Sequence, residues 1–503
     1  MFRKYFSFIA LFLTACSSVE DVPLPITSKS EKAVEFYKKG KYLQQQGEGF
    51  EGSTNYEAAL RIDSDFVLAN LSVFVEDPVQ RRKYRDAAVA NKDNVSDAER
   101  LMVEMWIAGR RDGDPSKRLE LAQKLVEMYP KSSESYVALG NVYVEQFMFD
   151  EAISSFEKAI DINPDSWRGY YGLVARHVVL GGNNMLPQDQ RDESKAIKYS
   201  EELIRIRPNS PRAYQIRANI ERNKSNFEEA NKLYQKMIDV CNENGSLLKT
   251  TALLISGHNL MFSGDTQKAM ENYDEGIAIA STPQRQHDVT FYKVYAHLLE
   301  DNYYDAINVL DEMLRIVEQT STSKENIVGN KASIYWNKMM VHAHNQEKKE
   351  AFESLEKMIE FSEMNVDKDN GRQLRGFNEA KYRFRAWINA LFGNYQIAKN
   401  QLAENLKYID KETDGLNAMN NYYAINGMVS LMEGNPQKAI ESFESRATQA
   451  QGEIYYNYFY GLALKAVGRT DEANEIFTFI SNFNFLGWTT GVVRNMAQKA
   501  LDS

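Results

Sequence analysis

A glycine-rich stretch near the amino end has the letters of a dinucleotide-binding loop. Residues 47–52 read Gly-Glu-Gly-Phe-Glu-Gly, which satisfies the pattern GxGxxG. In dinucleotide-binding proteins these glycines lie between a strand and a helix, where the backbone approaches a pyrophosphate. Here the stretch follows a segment with helical periodicity. We therefore interpret it as a turn between two helices, with Gly52 as a packing position, and predict no nucleotide cofactor.

Residue types that bind metals are present, but not at the spacing of a metal site. None of the six histidines forms an HExxH motif, and His342 and His344 are two positions apart, which on a helix points them to different sides. Segment 365–371 resembles a calcium loop, but its glycine falls one place late and Gly376 stands where the loop needs a glutamate. GxSxG and GxxxxGK[ST] are absent from the sequence as well. We predict no metal, no cofactor and no enzymatic activity.

The amino terminus predicts export and a lipid anchor. Arg3 and Lys4 precede an apolar run from Tyr5 to Leu13, which is too short to span a bilayer and is typical of a signal peptide. The next residues, Thr14-Ala15-Cys16, complete a motif that resembles the bacterial lipobox. That resemblance implies a signal peptide over 1–15, acylation of Cys16 and a lipidated tether over 16–29.

The residue after the lipidated cysteine bears on the membrane to which the protein is sorted. Ser17, rather than Asp, follows Cys16. By resemblance to Gram-negative lipoproteins, this predicts an outer-membrane lipoprotein, on either its periplasmic or its external face.

The composition of the chain indicates a packed helical protein without a nucleic-acid interface. Its 503 residues carry 60 Lys and Arg against 70 Asp and Glu, a formal net charge of −10, which disfavours binding to a phosphate backbone. Hydrophobic residues make up 43% of the chain, enough for a core, and only 27 glycines and 11 prolines interrupt it. Cys241 has no second cysteine to pair with if Cys16 is acylated, and we predict a buried structural thiol.

The clearest internal unit runs from Ser133 to Ser166. Two stretches with helical i, i+3, i+4, i+7 spacing are joined by a four-residue link, which predicts an antiparallel helical hairpin. The small residues Gly140 and Ala152, the large Tyr143 and Phe156, and the closing Pro164 resemble the tetratricopeptide repeat at its signature positions. The resemblance implies an all-α, right-handed superhelical solenoid of stacked hairpins.

The same frame recurs along most of the chain. The small alanine of the second helix reappears at steps of 34 to 47 residues, at Ala196, Ala230, Ala269, Ala306, Ala351, Ala398, Ala439 and Ala473. We divide the array into degenerate repeats over 30–132, well-formed repeats over 133–280, degenerate repeat-like hairpins over 281–420, and final repeats with a capping helix over 421–503. About eleven units are expected.

The resemblance also implies which residues line the concave groove, on the first helix of each repeat. In the amino half the family's groove positions are polar, and in the carboxyl half they are aromatic. They fall on Asn141, Arg168, Tyr171, Arg212, Gln215, Asn219, Arg222, Trp336, Trp387, Tyr455 and Tyr458.

Two functions remain open from the sequence. The first is a non-catalytic, membrane-anchored scaffold that binds a protein or peptide partner in its groove at the bacterial cell envelope. Amides and guanidinium groups suit a peptide's backbone and carboxylates, and aromatic rings offer stacking area. The alternative is a glycan-binding nutrient receptor that resembles the SusD-like lipoproteins.

Overall fold

Six α-helices precede the clearest repeat. The computed structural model describes residues 20–75, 77–178, 186, 190–321, 323–411, 418–446 and 453–502. The first helices, with a 3-10 turn and a π-helical segment between them, are α1 (Glu31–Gln45), α2 (Gly49–Ile62), α3 (Val67–Ser72), α4 (Pro78–Ala90), the 3-10 turn (Lys92–Asn94), α5 (Asp97–Trp106), the π-helical segment (Ile107–Asp112) and α6 (Pro115–Met128).

Ten helices form the middle of the chain. They are α7 (Ser133–Glu145), α8 (Phe149–Ile162), α9 (Trp167–His177), α10 (Glu193–Ile206), α11 (Pro211–Asn223), α12 (Phe227–Asn244), α13 (Lys249–Ser263), α14 (Thr266–Ala278), α15 (Pro283–Leu299) and α16 (Tyr303–Ile316).

Nine further helices complete the array. They are α17 (Lys324–His344), α18 (Lys348–Met364), α19 (Gly371–Leu391), α20 (Tyr395–Leu406), α21 (Asn420–Met432), α22 (Pro436–Glu444), α23 (Ile454–Ala466), α24 (Thr470–Ser481) and α25 (Trp488–Leu501).

Consecutive helices pack in pairs, so that the first 24 helices make 12 hairpins and α25 stands alone at the end. The described residues contain 25 α-helices and no strand. The predicted all-α solenoid is confirmed. One hairpin more than expected, α3 with α4, lies among the first 132 residues. Within the described part of the chain, no helix has both the length and the apolar character needed to cross a bilayer.

The repeated alanine is the common packing position of the second helices. Ala152 and all eight alanines predicted to share its frame have an exposed fraction of 0%. A methyl group there lets the two helices of a hairpin approach closely, and the next hairpin covers the same face. The repeats differ in length partly because some helices are longer than others. Helices α17 and α19, for example, each have 21 residues.

Local sequence signals explain several of the helix ends. Ser96 and Glu99 form a capping box at the start of α5, in which the Ser96 hydroxyl accepts from the Glu99 amide and the Glu99 carboxylate accepts from the Ser96 amide. Proline occupies the first turn of α4, α6, α11, α15 and α22. Gly47, in the GxGxxG stretch, has a φ of +89° in the turn between α1 and α2. Gly47 and Glu48 thus form an inter-helix turn, as predicted, whereas residues 49–52 begin α2, in which Gly52 packs against Gly40.

Hairpins far apart in sequence contact each other where the superhelix returns upon itself. Gln45 Oε1 accepts a hydrogen bond of 2.7 Å from Arg207 Nη2. Glu51 Oε1 accepts one of 3.2 Å from the amide of Leu247. These contacts join the first hairpin to two later turns. One turn lies between α10 and α11, and the other lies between α12 and α13.

Candidate functional site

A concave cavity of about 460 Å³ lies inside the amino half of the solenoid. We call it the amino groove. It is lined mainly by α1, α5, α7 and the beginning of α9, each the first helix of a hairpin, together with the extended residues Asp21 and Leu24. A surface built from several first helices is where a solenoid of this kind offers an elongated binding site.

Basic side chains outnumber acidic ones along the amino groove. The cations are Lys41, Arg110, Arg118, Arg168 and Arg207, and the acids are Asp21, Glu134 and Asp165. Lys41 Nζ lies 2.6 Å from Glu134 Oε1, and Arg118 pairs with Glu145. Arg110 and Arg168 are exposed, and neither forms an ion pair with any residue that the structure describes. The groove therefore has positive charge available for a ligand.

Amide and aromatic groups complete the walls. Asn141 is exposed on α7, and Gln44 on α1 accepts a hydrogen bond of 3.1 Å from the Tyr56 hydroxyl. Trp167 stacks on Tyr171 with 5.5 Å between ring centroids and 7° between planes. Trp167 is only 5% exposed, and its buried indole Nε1 has no hydrogen-bond partner among the described residues. The amide groups can hydrogen-bond the polar backbone of an extended chain, whereas the Trp167 ring is already covered by Tyr171 and Arg207.

The segment before α1 already lies against this site. The Asp21 carboxylate accepts from the Ser133 amide at 2.9 Å, from the Ser133 hydroxyl at 2.8 Å and from Asn163 Nδ2 at 2.8 Å. The Val22 amide donates to the Lys131 carbonyl at 3.0 Å. The described part of the predicted tether is extended, but it is bound to the solenoid rather than separate from it.

The same segment continues across two further hairpins. The Thr27 amide donates to Glu99 Oε1 at 2.9 Å, and the Lys29 amide donates to Asp63 Oδ2 at 2.9 Å. Leu24 is 8% exposed and packs in the core between α5, α6 and α7. The solenoid thus already offers hydrogen-bond partners to the backbone and to a carboxylate of an extended segment, along the face on which residues 20–29 lie.

Two of the groove residues predicted from the sequence line the amino groove, and three lie beside it. Asn141 and Arg168 are in its walls. Arg212 donates to Gln215 Oε1 at 2.7 Å and to the Tyr171 hydroxyl at 3.3 Å. These three form a closed network, and the turn at Gly47 covers the Arg212 side chain.

Asn219 and Arg222 are not in the groove, which is a correction to the prediction. Asn219 Oδ1 accepts a hydrogen bond of 2.7 Å from the Tyr234 hydroxyl inside the hairpin of α11 and α12. Arg222 is 1% exposed, and its guanidinium lies 5.8 Å from the Tyr234 ring. Both side chains lie against Tyr234 of the second helix of their own hairpin, and Arg222 Nη1 also donates to the Ile255 carbonyl of α13 at 3.4 Å.

Three of the four aromatic residues predicted for the carboxyl half, Trp336, Trp387 and Tyr455, line a second, smaller cavity of about 290 Å³. We call it the carboxyl pocket; its walls include Trp336, Arg383, Trp387, Asn421, Tyr455 and Trp488. Trp387, Tyr455 and Tyr458 are 4%, 1% and 7% exposed, and Tyr458 packs on Phe477 in the core rather than in the pocket. The prediction of an open aromatic groove is therefore wrong here, because α25 covers the concave side.

Sequence reasoning missed several lining residues. Lys41, Trp106 and Arg110 belong to early hairpins that lack most signature positions, so the repeat pattern gave no register for them. Trp488 was assigned only to a capping helix. An aromatic residue at the first position of that helix was the available signal, since a solvent-exposed cap has no need of one.

The histidines and the cysteine that could have done chemistry make contacts that hold the fold together instead. His342 Nδ1 lies 2.5 Å from Glu347 Oε2, and His344 Nε2 lies 3.2 Å from the Tyr455 hydroxyl, so the two rings have different partners. Cys241 is buried as predicted, and burial raises the pKa of its thiol to about 12. Within the described ranges, no group of three or more His, Cys, Asp or Glu residues could hold a metal ion.

Comparison with known proteins agrees with the repeat at the centre of the amino half. Residues 133–166 match the family of tetratricopeptide repeats. Comparison with curated protein sequences finds no match. Similar solved structures include MamA 41-end from Desulfovibrio magneticus RS-1, which is 17% identical over 37% of this chain and 96% of its own, with a TM-score of 0.29.

Two further solved structures are similar. A tetratricopeptide repeat protein from Parabacteroides merdae ATCC 43184 is 14% identical over 60% of this chain and 98% of its own, with a TM-score of 0.33. YrrB, a TPR protein with an unusual peptide-binding site, is 17% identical over 40% of this chain and 95% of its own, with a TM-score of 0.27. The family match at residues 133–166 places a tetratricopeptide repeat within the all-α solenoid of helical hairpins.

Proposed function

We propose that the protein is a non-catalytic scaffold that binds an extended, acidic segment of a protein partner in its amino groove. The observation that carries this proposal is that two cations, Arg110 and Arg168, form no ion pair with any described residue and line a cavity of about 460 Å³. Guanidinium groups form strong, charge-assisted hydrogen bonds with carboxylates. Asn141 and the glutamines of α1 would hold the ligand's backbone amides and carbonyls.

The chain's own segment 20–29 supports the extended shape of the ligand. Asp21 is an acidic side chain in extended backbone, and it binds the amino end of α7 through Ser133. A helix amino terminus favours an anion, because its first amides are free to donate. A partner segment of similar chemistry would lie next to this one.

We further propose that a lipid on Cys16 anchors the protein in the outer membrane of the cell envelope. Five peptide units separate Cys16 from Asp21, and they reach at most about 18 Å. A lipid at Cys16 would therefore hold the amino groove close to the membrane surface. The groove would then meet partners that are themselves at the membrane.

Binding of acidic peptides tests the groove. Fluorescein-labelled decapeptides that alternate Glu with Ser are compared with Lys-Ser peptides by fluorescence polarisation. We expect the acidic peptides to bind, with an affinity that falls as salt rises. The double variant Asn141→Ala/Arg168→Ala should weaken binding about tenfold or more, since each charge-assisted bond contributes roughly 1.5–3 kcal/mol.

The matched control is Arg61→Ala/Asn242→Ala, which removes an exposed arginine and an exposed asparagine from second helices. It should leave peptide binding unchanged. Equal binding of acidic and basic peptides, or an unaffected affinity in the folded groove variant, would contradict the proposal. Affinity capture from envelope extract with mass spectrometry would then identify the natural partner.

The anchor has a separate test in cells. The wild-type protein should sediment with membranes, and Cys16→Ser should move it to the soluble fraction. Globomycin, which blocks lipoprotein processing, should leave an unprocessed precursor. A precursor that matures normally in its presence would exclude the lipid anchor and leave the groove proposal intact.

A further inference from the structure

Helix α25 crosses the concave side of the last hairpins. A Cβ atom on Gly491 would lie 2.9 Å from both Leu298 Cβ and the Tyr295 carbonyl oxygen, so α25 is in close contact with α15. Asn495 Nδ2 donates to the Leu299 carbonyl at 2.7 Å, which fixes the contact. Because α25 also packs on α24, it bridges two hairpins that are distant in sequence. The concave surface beneath it becomes the carboxyl pocket.

Aromatic rings are held rigidly around this pocket. Three of the chain's five tryptophans line it, namely Trp336, Trp387 and Trp488. The Trp336 and Trp488 rings meet edge to face at 5.4 Å, and Trp488 lies 5.0 Å from Tyr455. Trp387 Nε1 donates to the Tyr455 hydroxyl at 3.1 Å. Flat apolar walls are thus in place before any ligand arrives.

The charges of the pocket are balanced. Its walls contain one cation, Arg383, and one acid, Glu453. Arg383 Nε also donates to Glu379 Oε1 at 3.0 Å, and the positive charges of Arg383 and Arg446 act on the Glu453 carboxyl. An anion would be repelled by the acids and a cation by the guanidinium groups, so neither is favoured.

Polar groups nevertheless face the same space. Asn421, Tyr456 and Thr489 line the pocket with the Arg383 and Glu453 side chains. Together they offer both donors and acceptors. A purely apolar ligand would cover the Asn421 amide and the Thr489 hydroxyl without offering either a hydrogen bond, which disfavours its binding.

We infer that the carboxyl pocket binds a neutral sugar ring in its pyranose form. A pyranose has apolar C–H faces that stack on aromatic rings and hydroxyl groups at its edge that both donate and accept. The volume of about 290 Å³ suits a ligand of this size, whereas an extended peptide needs the open surface that α25 covers. The inference rests on residues outside the amino groove and is independent of peptide binding there.

Titration calorimetry with the full chain tests this inference. The probes are the methyl glycosides of glucose, galactose, mannose and N-acetylglucosamine, with phenol and tetramethylammonium chloride for comparison. We expect at least one glycoside to bind, and Trp336→Leu to weaken that binding at least tenfold. Trp336 is half-buried, and the half-buried Trp106 of the amino groove provides the matched control, Trp106→Leu, which should bind sugar like the wild type.

A second variant keeps the inference testable if Trp336→Leu does not fold. Asn421→Ala removes one polar side chain from the pocket and leaves the aromatic rings in place. It should weaken binding of the same glycoside, while the circular dichroism spectrum stays unchanged. The inference is overturned if none of the four glycosides binds. It is overturned equally if only phenol or tetramethylammonium binds, or if Trp106→Leu loses as much sugar affinity as Trp336→Leu.

Discussion

Gly140 lies directly against the ring of Phe156, so that a Cβ atom on Gly140 would be only 2.7 Å from Phe156 Cε1. Gly140 is one of the small signature positions of the repeat. In the structure the space left by the missing side chain is taken by an aromatic ring of the second helix. The same contact, with the glycine 16 positions before the ring, recurs in Gly40–Tyr56, Gly257–Tyr273, Gly427–Phe443 and Gly461–Phe477.

This contact predicts a large cost for one methyl group. Gly461→Ala would place its Cβ 2.6 Å from the Phe477 ring, which is fully buried and cannot move aside. We expect destabilisation of about 1–3 kcal/mol through overpacking. Gly376→Ala in α19 is the control, since its Cβ would meet nothing within 4 Å, and it should stabilise the protein by roughly 0.5–1 kcal/mol. Urea unfolding followed by circular dichroism measures both, and equal effects would refute the role of the ring.

A second prediction concerns the turn inside each hairpin. Gln346 has a φ of +63° between α17 and α18, a conformation that costs a residue with a side chain about 1–2 kcal/mol. Gln346→Gly should therefore raise the unfolding midpoint, because the exposed side chain makes little packing contact. Gly468, with a φ of +84°, occupies the corresponding turn between α23 and α24, and Gly468→Ala should lower the midpoint. Changes in the same direction would show that backbone strain does not govern these turns.

The third prediction addresses the position of α25. Gly491→Leu should separate α25 from α15, because the contact leaves no room even for a Cβ atom. We expect faster proteolysis after residue 487 and a more extended shape in small-angle scattering. Gly487→Ala is the control, since nothing lies within 4 Å of its Cβ position. Unchanged scattering of folded Gly491→Leu would mean that α25 is not held by this contact.

The fourth prediction is a loss of stability in acid. Burial lowers the pKa of His287 to about 4, and its Nε2 has no hydrogen-bond partner among the described residues. The unfolded chain binds this proton below about pH 6.5, whereas the folded chain does so only near pH 4, so stability falls as the pH drops between these values. The loss amounts to at most roughly 3 kcal/mol at pH 4.

His287→Leu removes this titrating group and should flatten the pH dependence of the unfolding free energy between pH 6.5 and 4. Stability at pH 7.5 should change less than stability at pH 4.5. Parallel curves for the variant and the wild type would contradict the prediction. Burial also lowers the pKa of His344 to about 4. His344 therefore contributes to the loss of stability in acid in both the variant and the wild type.

The hairpins of this protein were predictable from the sequence because each one is a local structure. A hairpin is determined by helical periodicity, by a small alanine such as Ala152 and by a short turn. All three features lie within about 40 residues, and they recur in the same way in each repeat. The all-α solenoid, the inter-helix turn at Gly47 and the buried Cys241 followed from such local patterns. Asn141, which lies in the clearest repeat, and Arg168, at the start of the next hairpin, line the amino groove, where the repeat register is best defined.

Only the tertiary structure decided which parts of the concave side are open. Contacts between elements far apart in the sequence make this decision, and no local sequence pattern records them. Long-range packing brings Gln45 to Arg207 and α25 to α15, and the aromatic half of the groove becomes the carboxyl pocket. Asn219 and Arg222 are buried against Tyr234 within their own hairpin. The sequence alone determined the repeating unit, and long-range packing determined where a ligand has room to bind.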